Sequence, residues 1–223
     1  MNRLLWVVFG LYLSVAAVGA LLLARQLPRW LARENTTALM VISLFGGLHF
    51  AATAAAQGLY TGAALLLGPF ALFVTGIADT LLRTTVLVTL LTLLPRAGVV
   101  ALAHMVSWLL RATLFGQLDA VGFVQLVVSI GLLEALLWAT GLTRHRAWLD
   151  QSINWRWARL ALAFGTATGL ASVLSLASAM VVYRLYYTGA YLAALVLLPG
   201  VIYPSLACGP ATRFAHRLRA VQP

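Results

Sequence analysis

Lysine is absent from the 223 residues of this chain, so all fifteen basic residues are arginines. A P-loop for nucleotide phosphates needs its lysine and a Schiff base needs an amine, so both kinds of site are excluded. Cysteine occurs once, at Cys208, which excludes an internal disulfide and a cysteine-based zinc cluster. If the protein takes part in ATP-driven work, another subunit must bind the ATP.

Charge of either sign is scarce, at 9% of residues, whereas 62% are hydrophobic. A soluble domain carries roughly 25% charged residues, and apolar stretches of ~20 residues are long enough to cross a bilayer. The net charge of +10 comes from arginines between the apolar stretches, which is typical of topology determinants and anionic headgroup contacts rather than of nucleic-acid binding. The composition predicts an all-α polytopic membrane protein that is not an enzyme.

The apolar residues fall into seven segments, which predict about seven transmembrane helices. These segments are 4–24, 37–57, 66–94, 97–115, 120–142, 159–182 and 187–210. Pro95 and Gly98 separate the third segment from the fourth, and the glycines from Gly58 to Gly62 predict an interruption after the second. The third helix begins either at 66 or after Pro69. The stretch 144–159 is amphipathic and is expected along the membrane surface.

The arginines orient this arrangement by the positive-inside rule. Eleven of them fall on one side of the predicted membrane: Arg25, Arg29, Arg33, Arg96, Arg144, Arg146, Arg156, Arg159, Arg213, Arg217 and Arg219. Arg3 and Arg184 fall on the other side. The pattern predicts a bacterial cytoplasmic (inner) membrane protein with its N-terminus outside and its C-terminus in the cytoplasm.

Ionisable side chains inside the predicted helices are candidates for function, because a centrally placed charge costs ~2.5–3.5 kcal/mol on insertion scales. Asp79 and Arg83 are four residues apart on one helix, so they either contact a solute or neutralise each other. His104, Trp108 and Arg111 form a stripe along the fourth segment. That stripe combines a cation, a flat aromatic surface and an imidazole.

Glu134 gives the sharpest signal, with Trp138 one turn further along the fifth segment. A carboxylate beside an indole suits a cationic or hydrogen-bonding heteroaromatic ligand. The alternative is a salt bridge from Glu134 to Arg83 or Arg111. No spacing typical of metal ligands accompanies His49 and His104, so neither a metal nor another cofactor is predicted.

From about residue 37 onward the chain resembles the substrate-binding S component of energy-coupling factor (ECF) vitamin transporters, most closely the thiamine/hydroxymethylpyrimidine permease branch. The likeness is carried by short motifs: Gly68-Pro69, Leu94-Pro95-Arg96-Ala97-Gly98, Gly116 with Asp119, and Gly131-Leu132-Leu133-Glu134-Ala135-Leu136 before Arg144 and Arg146. The chain departs from the family in its additional first helix. It also has His104 where a glutamate is expected six residues after the glycine of Pro-x-x-Gly.

The resemblance implies two regions: an extra N-terminal helix with a cytoplasmic loop in 1–36, and a six-helix membrane core with a basic C-terminal tail in 37–223. It implies uptake of a vitamin or vitamin precursor, a thiamine-like small heteroaromatic solute, together with a transmembrane T component and ATPase subunits. Alanines that would contact the T component carry over to Ala51, Ala52, Ala55 and Ala56. Substrate contacts are expected from Glu134, Trp138, His104, Trp108 and Asp79. The alternative is a membrane scaffold or assembly subunit with a buried ion-pair network and no transport role.

Overall fold

The structure is a computed structural model that describes residues 3–116, 120–144, 146–184 and 187–221. The described residues form helices and short connections and contain no β-strand. The helices are α1 (Arg3–Arg33), α2 (Thr36–Leu67), α3 (Ala71–Leu93), α4 (Val99–Phe115), α5 (Ala120–Ala139), α6 (Ile153–Val182), α7 (Gly189–Leu195) and α8 (Tyr203–Val221). A π-helical segment, Val196–Ile202, joins α7 to α8 without a break.

The boundaries of helices α2, α3 and α4 fall at residues that cap or interrupt a helix. The Asn35 side chain accepts a hydrogen bond of 2.8 Å from the Ala38 amide and caps α2. The helix ends at Gly68, whose φ of 54° is one that side chains disfavour, and Pro69 opens the short turn before α3. Helix α3 ends at Leu93, two residues before Pro95, because the residue preceding a proline is driven out of the helical region.

Two predicted connections are wrong, because the chain remains helical through them. Helix α1 continues past Pro28 to Arg33, so the first basic cluster lies on the last turns of a helix and not in a loop. Helix α2 runs through Gly58 and Gly62, where an interruption was expected. Glycine and proline are tolerated inside membrane helices, because the apolar surroundings favour satisfied backbone hydrogen bonds.

The connection before α6 is shorter than predicted. A 3₁₀ turn, Arg146–Asp150, is followed directly by α6 from Ile153. Arg156 and Arg159 therefore belong to a long helix, and the amphipathic surface stretch is reduced to this turn. In contrast, the alternative start of the third helix after Pro69 is confirmed, since α3 begins at Ala71.

Five helical stretches are long and apolar enough to cross a membrane. They are Leu5–Arg33, Thr36–Leu93, Ala120–Ala139, Ile153–Val182 and Gly189–Leu218. The second of these contains both α2 and α3, and α4 is a shorter apolar helix. The chain is therefore an all-helical protein whose helices suit a membrane.

Six of the helical rods form a closed ring, hereafter the helix ring. Neighbours around the ring are α2 and α3, α3 and α8, α8 and α6, α6 and α5, α5 and α4, and α4 and α2. Helix α1 lies outside the ring and packs on α5 and α6. It approaches α5 closely at Gly19, where an added Cβ would lie 3.0 Å from a methyl of Val127.

The apolar core fills one end of the helix ring. Its fully buried members include Leu90, Val99, Leu137 and Leu160, from four different helices, while Trp30 of α1 packs against their edge. The other half of the ring is less completely filled with apolar side chains. That half contains the candidate site.

Candidate functional site

A polar cavity of about 980 Å³ occupies the centre of the helix ring. It extends to Gly116 at the end of α4 and to Tyr183 at the end of α6. These residues lie away from the end of the ring at which Arg33 and Arg96 meet, hereafter the arginine-rich end. A second cavity of about 460 Å³ adjoins it and shares the walls formed by His49, Arg83 and His104. A volume of ~300–1,000 Å³ is the range of small-molecule sites.

Two histidines from neighbouring helices form one wall of both cavities. The His49 ring on α2 and the His104 ring on α4 have centroids 4.7 Å apart. Nδ1 of His49 lies 3.0 Å from the Ser107 hydroxyl, and Nδ1 of His104 lies 3.0 Å from the Val100 carbonyl oxygen. Because a carbonyl only accepts, His104 carries its proton on Nδ1 when neutral, which leaves Nε2 as a hydrogen-bond acceptor.

Two arginines line the larger cavity, but their charges are balanced differently. Arg83 donates to Asp79 one turn earlier on α3, as its spacing predicts. The other carboxylate oxygen of Asp79, Oδ1, is buried without a hydrogen-bond partner among the described residues. Arg111 forms no ion pair within the described part of the chain. Among the described residues, the two cavities are therefore lined by two arginines and one acidic side chain.

Trp108 adds an aromatic surface to the larger cavity. Its ring lies 5.4 Å from that of Phe123, centroid to centroid, at an interplanar angle of 59°. This contact holds the indole between α4 and α5. Further hydrogen-bonding side chains line the same cavity: Thr53, Gln125, Ser129, Thr168, Ser172 and Ser175.

Glu134 lies elsewhere, against the first turn of α4. Its two carboxylate oxygens accept hydrogen bonds of 3.1 Å from the amides of Gly98 and Ala101. Gly98 has no side chain with which to cap its own helix, so Glu134 caps it from α5. Trp30 completes this arrangement, because a Cβ at Gly98 would overlap its indole at 2.3 Å. We call these residues the clasp.

Trp138 also lies away from the cavities. Its ring is 55% exposed, and the Arg144 guanidinium stacks on it at 4.6 Å from the centroid. Glu134 and Trp138 were expected to contact a ligand together, but both lie away from the cavities. The start of α4 binds the carboxylate of Glu134, and Arg144 lies over the indole of Trp138. The expected salt bridge from Glu134 to Arg83 or Arg111 is not formed either.

Three predicted contact residues do meet at the cavities: His104, Trp108 and Asp79. His49 and Ser107 were not predicted to line a cavity, because a lone histidine or serine on an apolar helix forms no pattern. The serines of α6 at positions 172, 175 and 178 repeat every three residues, and this spacing is a signal that could have been found.

The four alanines of α2 divide between two faces. Ala51 and Ala55 are exposed on the outside of the helix ring, whereas Ala56 is buried and Ala52 is half-buried. The outer pair leaves the backbone of α2 accessible to a neighbouring helix. The inner pair contributes to packing within the ring.

Among the described residues, no group of three histidine, cysteine, aspartate or glutamate side chains is placed to bind a metal ion. Comparisons with protein-family models, curated proteins and solved structures find no match to the chain. The function therefore has to be argued from the cavity itself.

Proposed function

We propose that this protein is the solute-binding membrane subunit of an uptake transporter, energised by separate ATPase subunits, in the manner of an ECF S component. The observation that carries the proposal is the cavity inside the helix ring, which is lined by polar and charged residues of α2 to α6. Hydrogen-bonding and charged side chains at membrane depth are costly unless they face a cavity or a partner. A solute-binding role gives them that purpose.

The proposed topology has seven membrane crossings, with the N-terminus outside and the C-terminus in the cytoplasm of a bacterial inner membrane. Arg33 and Arg96 meet at one end of the ring, as the positive-inside rule expects of a cytoplasmic end. The cavity extends toward the opposite end, where Gly116 and Tyr183 lie. A solute would therefore enter from outside the cell.

The proposed solute is a small heteroaromatic molecule of the thiamine or pyrimidine-precursor class that carries an anionic substituent. Trp108 offers a stacking surface, and Nε2 of His104 accepts a hydrogen bond from a ring amino group. The unpaired Arg111 favours a carboxylate or phosphate ester and opposes the cation of thiamine itself. Asp79 is held by Arg83 and has one free oxygen, Oδ1.

The proposed transport partner is a T component that docks on the exposed side of α2. Ala51 and Ala55 lie there one turn apart, and small residues at that spacing allow close approach of a second helix. The helix ring contains no lysine with which to build a nucleotide-phosphate loop. Energy must then come from the other subunits.

The test is to purify the protein in a neutral detergent and to identify retained small molecules by mass spectrometry. Two tryptophans form a matched pair: we expect Trp108→Ala to lose the retained solute and Trp138→Ala to keep it. Stacking on an aromatic ring is worth ~1–3 kcal/mol, or about 5–150-fold in affinity. Loss in Trp138→Ala alone would contradict the assigned site.

The scaffold alternative is favoured by one observation, an ion network at the arginine-rich end. Glu34 accepts hydrogen bonds from Arg96 at 2.9 Å and from Arg33 at 3.4 Å, and its side chain is 1% exposed. A scaffold predicts that no small molecule is retained and that Trp108→Ala changes nothing. The same purification therefore decides between the two functions.

A further inference from the structure

A second pocket, of about 420 Å³, opens on the protein surface at the arginine-rich end. The first turn of α6 forms one side with Asn154 and Trp157, and the C-terminal half of α8 forms the other. The residues of α8 that define it are Gly209, Arg213, Phe214 and Arg217. This pocket is separate from the central cavities, and its role does not depend on transport.

The positive charge in this pocket is not neutralised by the protein. Arg213 and Arg217 are one turn apart, a spacing at which like charges destabilise a helix. Neither forms an ion pair within the described residues, and the pocket is lined by no acidic side chain. The first turn of α6 also lacks an acidic residue, and Ser152 does not cap it through its side chain. These exposed guanidinium groups are therefore available to a bound anion.

The remaining walls of the pocket are apolar and held in place. Nε1 of Trp157 donates a hydrogen bond of 3.0 Å to the Ser205 carbonyl oxygen, which fixes the indole against α8. Gly209 leaves the space beside that ring open, since an added Cβ would already lie 3.6 Å from Trp157. Phe214 is 51% exposed at the opposite wall. A small inorganic anion has no use for these aromatic surfaces.

The position of the pocket indicates that its ligand is an amphiphile. The apolar residues of α8 give way to Arg213, His216 and Arg217, so the pocket lies where the helices leave the membrane, and Trp155 is exposed nearby as interfacial tryptophans are. We infer that this pocket binds an anionic phospholipid. Arg213 and Arg217 contact the phosphate, while Trp157 and Phe214 contact the glycerol and the first acyl carbons.

The experiment measures lipid retention by native mass spectrometry of the full-length protein in neutral detergent. The probes are phosphatidylglycerol, phosphatidylcholine and inorganic phosphate. We expect the protein to retain phosphatidylglycerol over phosphatidylcholine, and the double variant Arg213→Gln/Arg217→Gln to weaken this binding at least about tenfold, since each arginine near a surface contributes to anionic-lipid attraction.

The matched control is Arg25→Gln/Arg29→Gln, which removes two exposed arginines with the same spacing on α1 at the same end. Retention by this control supports a defined site, whereas an equal loss in both double variants would overturn it in favour of diffuse attraction. Displacement of the lipid by inorganic phosphate would also overturn it, in favour of a soluble anion.

A second variant tests the pocket with its charges intact. Gly209→Leu places a side chain in the space beside Trp157, so we expect it to reduce phosphatidylglycerol binding as strongly as the double arginine variant. Both variants are compared as folded monomers of unchanged thermal stability. Full retention by Gly209→Leu would show that the pocket is not occupied and would overturn the inference.

Discussion

Charged side chains at the arginine-rich end of the helix ring and in the central cavity differ in how completely they are paired. At the arginine-rich end Glu34 pairs with Arg96, and Glu134 accepts two amide hydrogen bonds from the start of α4. In the central cavity Arg111 has no acidic partner among the described residues. Satisfied groups hold helices together, and unsatisfied groups are available to a solute. The same residue types therefore hold helices together at one end and, in the proposed function, bind a solute in the cavity.

The strongest test of this comparison is Gly98→Ala at the clasp. The φ of Gly98 is 91°, and an added Cβ would overlap the indole of Trp30 at 2.3 Å. We expect the free energy of unfolding to fall by about 3 kcal/mol or more, because strain and overpacking add. Thermal unfolding in detergent measures the change.

Gly116→Ala is the control for that substitution. Gly116 also has a positive φ, of 64°, but no described residue lies within 4 Å of an added Cβ. The free energy of unfolding should fall by about 1 kcal/mol, which is the cost of the backbone conformation alone. Equal losses in the two variants would show that the contact with Trp30 contributes nothing.

The second prediction concerns Glu134→Gln. An amide NH2 group, which cannot accept a hydrogen bond, replaces one carboxylate oxygen, so the cap on α4 weakens and we expect a loss of about 1–2 kcal/mol in stability. Solute affinity per folded molecule should be unchanged, because the carboxylate lies outside the cavities. If the variant bound the solute more weakly while its free energy of unfolding was unchanged, Glu134 would instead belong to the binding site. Thermal unfolding and a binding isotherm on the same preparation separate the two outcomes.

The third prediction has the smallest expected effect on stability and comes from the cavity. Arg111→Gln removes a charge that has no acidic partner, so the free energy of unfolding should change by less than about 0.5 kcal/mol. Binding of an anionic solute should weaken about tenfold or more, while binding of its uncharged analogue should not. Equal effects on both ligands would contradict the role of Arg111. Binding isotherms with the two ligands provide the measurement.

The sequence predicted the positions of the helices better than it predicted which side chains contact each other. Apolar length and the break at Pro95 predicted most of the helices, because both act locally along the chain. Continuation of α2 through Gly58 and Gly62 was missed, since helix breakers lose their effect in an apolar environment. The partner of Glu134 was unpredictable from spacing, because periodicity assigns a residue to a face but not to the element opposite.

His104 and Trp108 were predicted as site residues because their spacing places polar groups on one face of α4. The contribution of α2 depends on a single histidine, His49, and became visible only when the two helices were packed together. The polar stripe on α4 was thus identified from sequence. Isolated polar residues required the fold.

The contact between Trp30 and Gly98 has a consequence for the order in which the protein assembles. The ribosome releases α1 before the α3–α4 turn, and the turn before α5. Trp30 and Arg33 are therefore in the membrane when Gly98 arrives, and Arg33 donates a hydrogen bond of 2.6 Å to the Ala97 carbonyl oxygen. Glu134 emerges last and then accepts hydrogen bonds from a turn that already contacts Trp30 and Arg33. We therefore expect α1, which lies outside the ring, to be available as a surface on which the ring assembles.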